Sequence, residues 1–87
     1  MNKEKTTQEE FNKAVDDIKK ASDLDNDSLL SLYGYYKQVT IGDCNIDKPG
    51  FFDPKGRAKW DAWTENKGMD KETAMKRYVR KVNKALK

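Results

Sequence analysis

Apolar residues recur along this chain at intervals of three and four, the period of an amphipathic helix. Phe11, Ala14, Val15 and Ile18 form the first such run, which extends to about Ala21. Ahead of it, Thr7-Gln8-Glu9-Glu10 has the form of a capping box, in which a hydroxyl and a carboxylate each satisfy an orphan backbone donor. A polar connection from Ser22 to Asn26 leads to a second run: Leu29, Leu30, Leu32, Tyr33, Tyr36, Val39 and Ile41. Asn26 or Asp27 is placed to cap this helix, and Gly42 to end it in a left-handed conformation. From Asp43 to about Lys55 the period is lost and the turn signals Pro49-Gly50 and Asp53-Pro54 appear. Phe51 and Phe52 are expected to pin this long loop to the rest of the protein. A third, short helix is predicted from about Gly56 to Lys67 around Trp60 and Trp63, with Gly68 as its stop. Asp70 then caps a fourth, whose apolar stripe is Met75, Tyr78, Val79, Val82 and Leu86. β-branched residues are scattered rather than alternating, and no repeat or linker is visible. The pattern predicts an all-α bundle of four helices in a single domain, residues 1–87, with 1–6 as a flexible extension.

Length limits what such a bundle can do. A domain of 87 residues buries roughly 60% of the surface its unfolded chain exposes, enough for one thin core. An internal reaction chamber is excluded and a surface site is the expectation. Histidine is absent and Cys44 is the single cysteine, so the commonest general base and metal ligand is missing and no disulfide can close within the chain. Serines 22, 28 and 31 have no histidine to activate them, and one thiol cannot complete a tetrahedral zinc site. Asp16-Asp17 reads as a solvated pair on a helix surface, Cys44 as a small buried hydrophobe, and the five glycines are isolated rather than gathered in a phosphate loop. No catalytic residue and no metal or cofactor site is expected. A lone thiol suits a reducing compartment. No apolar run approaches the roughly 20 residues needed to cross a bilayer. Met1-Asn2-Lys3-Glu4-Lys5 is not followed by an apolar signal core, and Asn2 excludes myristoylation. On these features the protein is expected to be soluble and intracellular.

Charge adds a direction. Residues 1–36 carry five basic and eight acidic groups, a net of −3, whereas residues 37–87 carry thirteen and seven, a net of +6. A basic half suits an anionic partner, although a solvated lysine-rich surface is the commoner meaning of such a bias. The sharper feature is Tyr33-Gly34-Tyr35-Tyr36-Lys37. On a helix, positions 33, 36 and 37 are neighbours, so two phenols and an ammonium share a face. A phenol can donate to a phosphate oxygen, a ring can stack on a nucleobase and lysine can neutralise a phosphate. By pattern alone, two tyrosines at helical spacing are more often core than binding site. Gly34 costs about 1 kcal/mol of helix propensity relative to alanine, which close approach of a ligand or of another helix would explain.

The run Tyr33 to Asp43, with Asn45 and Pro49-Gly50 beyond it, resembles the signature of the acyl-CoA-binding protein family. Lys59-Trp60-Asp61-Ala62-Trp63, Ala74-Met75-Lys76-Arg77-Tyr78, and Phe11 with Ala14 are similar to its other helices, so the resemblance covers about residues 8 to 86. It implies an up-down-down-up four-helix bundle with a long loop between the second and third helices. It also implies a non-enzymatic, high-affinity cytoplasmic carrier and pool former for long-chain acyl-CoA esters such as palmitoyl-CoA, in transient contact with acyl-CoA-using enzymes and membranes. Nothing in the pattern demands an oligomer, so a monomer is expected. By position, Lys37 would pair with the 3′-phosphate of the adenosine ribose with support from Tyr33 and Lys59, Tyr36 would line the adenine site, and Tyr78 would close the nucleotide pocket. Gly34 and Tyr35 fall within the same ligand-binding stretch, and Lys19 matches a contact to the ligand's polar part. Leu29, Leu30 and Ala14 match positions at the acyl groove, while Trp60 and Trp63 match mostly structural ones. Three features depart from animal members of the family: a connection at Ser22 to Asn26 about one residue shorter and without a proline, Tyr35 in place of a common histidine, and the aromatic run Phe51-Phe52-Asp53-Pro54.

Two other functions fit the residues. A nucleic-acid module would use base stacking and lysines, but the basic residues are dispersed over the helices and only three are arginine. A bundle that docks a partner protein would show no response to any small ligand.

Overall fold

The computed structural model describes residues 8–21 and 23–86. They form α1 (Gln8–Ile18), α2 (Asn26–Thr40), α3 (Pro54–Thr64) and α4 (Lys71–Ala85), with no strand among the described residues. The chain is all-α, as its periodicity predicts. Thr7 of the anticipated capping box and the extension 1–6 lie outside the described residues.

The helix ends follow local chemistry, with four shifts from expectation. α1 stops at Ile18 rather than near Ala21, because Lys20 and Ala21 bond back to Asp17 and Ile18 at 3.1 Å in a tighter turn. Asp25, not Asn26 or Asp27, is the N-cap of α2: its backbone is extended and its carbonyl accepts from the Leu29 N–H at 3.1 Å. α3 begins at Pro54, two residues earlier than expected. The carboxylate of Asp53 accepts from the Gly56 N–H at 3.0 Å, and proline at the first helical position needs no donor of its own. A proline that reads as a turn signal is here a helix start. α3 stops at Thr64 rather than Lys67, because Asn66 and Lys67 bond back to Trp63 and Thr64 at 3.0 Å in a tighter turn ahead of Gly68. Gly42 ends α2 as expected, at φ 106°, with the Ile41 and Gly42 N–H groups both bonded to the Lys37 carbonyl. Asp70 caps α4 as expected, accepting from the Thr73 N–H at 3.2 Å and the Thr73 hydroxyl at 2.7 Å.

α2 is the central element and packs on both α3 and α4, while α1 packs on α4. Trp63 and Gly68 meet Gly42 and Asp43, and Pro54 and Lys55 share a cavity with Asn26 and Leu29. Ends therefore match ends, and α2 and α3 run parallel. Met69, just ahead of α4, bonds to Gln38 late in α2, so α4 runs antiparallel to α2. Phe11 near the start of α1 touches Tyr36 in the second half of α2, which sets α1 antiparallel to it. The result is up-down-down-up. A parallel α2–α3 pair obliges the intervening loop to retrace the length of a 15-residue helix, about 22 Å.

Phe11, Ala14, Leu32, Val39, Ala74, Met75, Tyr78 and Val82 make the buried core. Gly34 sets the α2–α3 approach: a Cβ there would lie 2.5 Å from the Ala62 carbonyl oxygen. The long loop is tied down by indoles rather than by the phenylalanines. Trp63 Nε1 donates to the Gly42 carbonyl and Trp60 Nε1 to that of Ile46, both at 2.8 Å. Asp43 adds a link, accepting from Gln38 Nε2 and the Gly68 N–H at 2.8 Å. Phe51 and Phe52, expected to pin the loop, are 79% and 93% exposed. Cys44 is half-buried rather than buried, its Sγ 3.7 Å from the Ile46 carbonyl.

Candidate functional site

Helical spacing on α2 puts Tyr33, Tyr36 and Lys37 side by side, and the neighbouring helices give each a partner. Toward α1 and α4, three rings gather. Phe11 and Tyr36 lie 5.9 Å apart at 23°, Phe11 and Tyr78 are tilted at 4.9 Å, and Tyr36 and Tyr78 are 6.3 Å apart. Tyr78 is 4% exposed, whereas Tyr36 presents 39% of its surface. A shallow cavity of about 270 Å³ opens here, walled by Phe11, Val15, Asp16, Tyr36 and Thr40. Burial first, and then the neighbouring Tyr36, pushes the Tyr78 phenol above its usual range. It stays a neutral donor at every physiological pH.

Toward α3 the partners are cationic. Lys37 Nζ sits 4.9 Å above the ring of buried Trp63, and Lys59 Nζ 5.5 Å above Tyr33. The attraction of an ammonium to a ring face holds each cation at the surface without burying its charge. Neither Lys37 nor Lys59 has a carboxylate partner among the ion pairs of the described residues.

Beyond Tyr33 the crease between α2 and α3 becomes an apolar groove of about 470 Å³, lined by Asn26, Leu29, Leu30, Tyr33, Pro54, Lys55, Ala58 and Lys59. Leu29 is 47% exposed, well above the usual state of a leucine in a small core. Tyr33 and Lys59 belong both to the groove wall and to the cation–ring pair, so they join the apolar half of the site to its cationic half.

Of the residues singled out from the sequence, Tyr33, Tyr36, Lys37, Lys59, Tyr78, Leu29 and Leu30 fall along this one crease and the ring cluster beside it. Four others lie apart. Gly34 is buried against Ala62 and serves the packing of two helices. Tyr35 packs on the core and faces a different cavity, which holds Asp27, Asp61 and Glu65 and would repel an anion. Ala14 is 4% exposed within the core. Lys19 stands in the turn after α1, with its Nζ 3.9 Å from Asp16 Oδ1 at the edge of the ring cavity. Sequence reasoning misses Pro54, Lys55 and Ala58 as groove wall. They recur at helical spacing, a signal that emerges only when α3 is begun at Pro54. Among the described residues no cluster of histidine, cysteine or carboxylates could hold a metal ion, and no helix is long and apolar enough to cross a membrane.

The family described as acyl CoA binding protein matches residues 8–82, from the first residue of α1 into the last turns of α4. Acyl-CoA-binding protein homolog 1 from Caenorhabditis elegans is 54% identical over 61 residues, 70% of this chain and 71% of its own. Among solved structures, Oryza sativa acyl-CoA-binding protein 2 superposes with a TM-score of 0.87 at 44% identity, covering 91% of this chain and 89% of its own. The acyl-CoA-binding protein of Moniliophthora perniciosa does so at 0.86 and 38% identity, covering 93% and 84%. A likeness that runs through all four helices, in structures of nearly the same length, has one meaning: the chain belongs to the acyl-CoA-binding protein family.

Proposed function

We propose that this protein is a non-catalytic, monomeric carrier that binds long-chain fatty acyl-CoA esters with high affinity and holds a cytoplasmic pool of them. The observation that carries this reading is the continuity of the crease: an apolar groove that ends, at Tyr33 and Lys59, in a cationic and aromatic patch. One ligand with an alkyl tail and an anionic, aromatic head uses both parts. Leu29, Leu30 and Ala58 would lie along the acyl chain. Each methylene taken from water contributes about 0.8 kcal/mol, so two more carbons strengthen binding by about 1.6 kcal/mol, over tenfold. Lys37 and Lys59 would meet phosphate, with the Tyr33 phenol as a donor beside them. The ring of Tyr36, half-exposed over Phe11 and Tyr78, offers a flat face for adenine. Tail contributes affinity and head contributes identity.

Isothermal titration with palmitoyl-CoA, free CoA and palmitate tests this. One-to-one binding of the thioester, with far weaker binding of either half, is expected. No heat with any of the three would remove the carrier reading.

A further inference from the structure

Phe51 and Phe52 are the most exposed large hydrophobic residues described, at 79% and 93%. Their position is built rather than incidental. The Asp53 N–H donates to the Gly50 carbonyl at 3.0 Å, closing a turn with the two phenylalanines at its tip. Asp53 then caps α3 and Pro54 fixes the backbone that follows, while Arg57 reaches the Pro49 carbonyl at 3.4 Å from the other side. The two rings pack edge to face at 5.3 Å, against each other and away from the core. Two aromatic rings held in water at the end of a braced turn stand to gain from an apolar surface and lose little conformational freedom on reaching one.

Two further observations identify that surface. From Lys48 to Lys59 the chain carries four cations against one carboxylate, that of Asp53, which accepts from the Gly56 N–H as a helix cap. Lys48 is taken up by Asp61 at 3.5 Å, which leaves Lys55, Arg57 and Lys59 behind the tip. Aromatic rings leading and cations behind match the depth profile of an anionic bilayer, acyl chains within and phosphate outside. The tip also runs directly into Pro54 and Lys55, which line the apolar groove.

We propose that the Phe51-Phe52 turn is a membrane-docking wedge: it inserts between the headgroups of an anionic phospholipid bilayer and brings the mouth of the α2–α3 groove against the membrane. The direction of delivery rests on the acyl-CoA reading above; docking itself does not.

The test is co-sedimentation of the full chain with phosphatidylcholine vesicles, with and without phosphatidylserine, for the native protein and the F51S/F52S double variant. Both side chains are solvent-exposed, and an unchanged melting temperature checks that the variant folds. Native protein should bind the serine-containing vesicles, more weakly as salt rises, and the double variant should bind them about tenfold less or worse. In vesicle-free calorimetry the variant should bind palmitoyl-CoA as the native protein does. Equal vesicle binding by both proteins, or none by either, overturns the wedge. Loss of palmitoyl-CoA affinity in the variant also overturns it, by making the pair part of the ligand site. Native protein that self-associates through these rings instead of binding vesicles assigns them to a second copy and overturns it as well. Vesicle docking that depends on the phenylalanines, in a protein that shows no heat with palmitoyl-CoA, upholds the wedge and refutes the carrier.

Discussion

Two positions on α2, three residues apart, separate scaffold from site. At Gly34 the nearest obstacle to a side chain is backbone, the Ala62 carbonyl at 2.5 Å, which cannot swing away as a side chain would. Gly34→Ala gains about 1 kcal/mol of helix propensity but forces α2 and α3 apart, an overpacking cost of about 1–3 kcal/mol. A net loss of stability, read as a lower urea midpoint, is the expected outcome. A more stable variant would show that the helices part freely. Lys37 is the reverse case, with its ammonium held over Trp63 and no carboxylate bonded to it among the described ion pairs. A charge-assisted contact to phosphate contributes about 1.5–3 kcal/mol, so Lys37→Ala should weaken acyl-CoA binding about ten- to hundredfold. The factor should be the same for short and long acyl chains, because the lost contact is to the head. A loss confined to long chains in calorimetry would contradict that role.

The helix termini decide how the bundle responds to acid. Asp70 is held below the usual carboxylate range by the Thr73 hydroxyl and then the Thr73 backbone N–H, and Asp43 by the Gly68 N–H and then Gln38. Both folded pKa values are therefore lower than the ordinary 3.8. Stability contributed by each is complete above that value and is lost as pH falls through the lower folded value. Asp43→Ala and Asp70→Ala should thus be less stable than the native protein at neutral pH, with the gap closing in acid. Melting temperatures measured down to strongly acidic pH check this; a gap that persists there would mean that the carboxylate charge is not what matters. Such termini are largely legible in the sequence, since Asp70 and Gly42 announce themselves by residue type and place. The start of α3 is not, because an Asp-Pro pair serves equally well in a turn and as cap plus first helical residue. What separates the two is whether the following turn of helix has a surface to pack on, and that surface belongs to α2.

The described molecule extends 47 × 30 × 15 Å. A body so thin along one axis has no interior deep enough to enclose a ligand, so a long tail has to lie in a surface crease and leave part of the groove wall wet when empty. Leu29 at 47% exposure is that wet wall. Filling it should stabilise the folded state by mass action: at a ligand concentration one hundred times Kd, binding to the native state alone adds about 2.7 kcal/mol, a rise on the order of 10 °C in the melting temperature of a domain this size. Palmitoyl-CoA should produce that shift in a thermal scan and free CoA a much smaller one. Equal shifts would mean that the groove contributes nothing.

Residue order alone is sufficient for the four helices, the expectation of a binding rather than a catalytic surface, and the cluster of Tyr33, Tyr36 and Lys37, because helical periodicity and neighbour spacing act within a few residues. It also carries the family resemblance, through motifs that run from Phe11 to Tyr78. Which face each residue serves is settled by packing. Tyr33 and Tyr35 are alike in sequence, yet one faces the groove and the other an acidic cavity, because α3 lies along the side of α2 that Gly34 opens. Phe51 and Phe52 have the composition of core residues but stand in water, since Trp60 and Trp63 already hold the loop and the Gly50–Asp53 turn aims the rings outward. Burial is a property of what lies opposite a side chain, and in a bundle what lies opposite comes from a distant part of the chain.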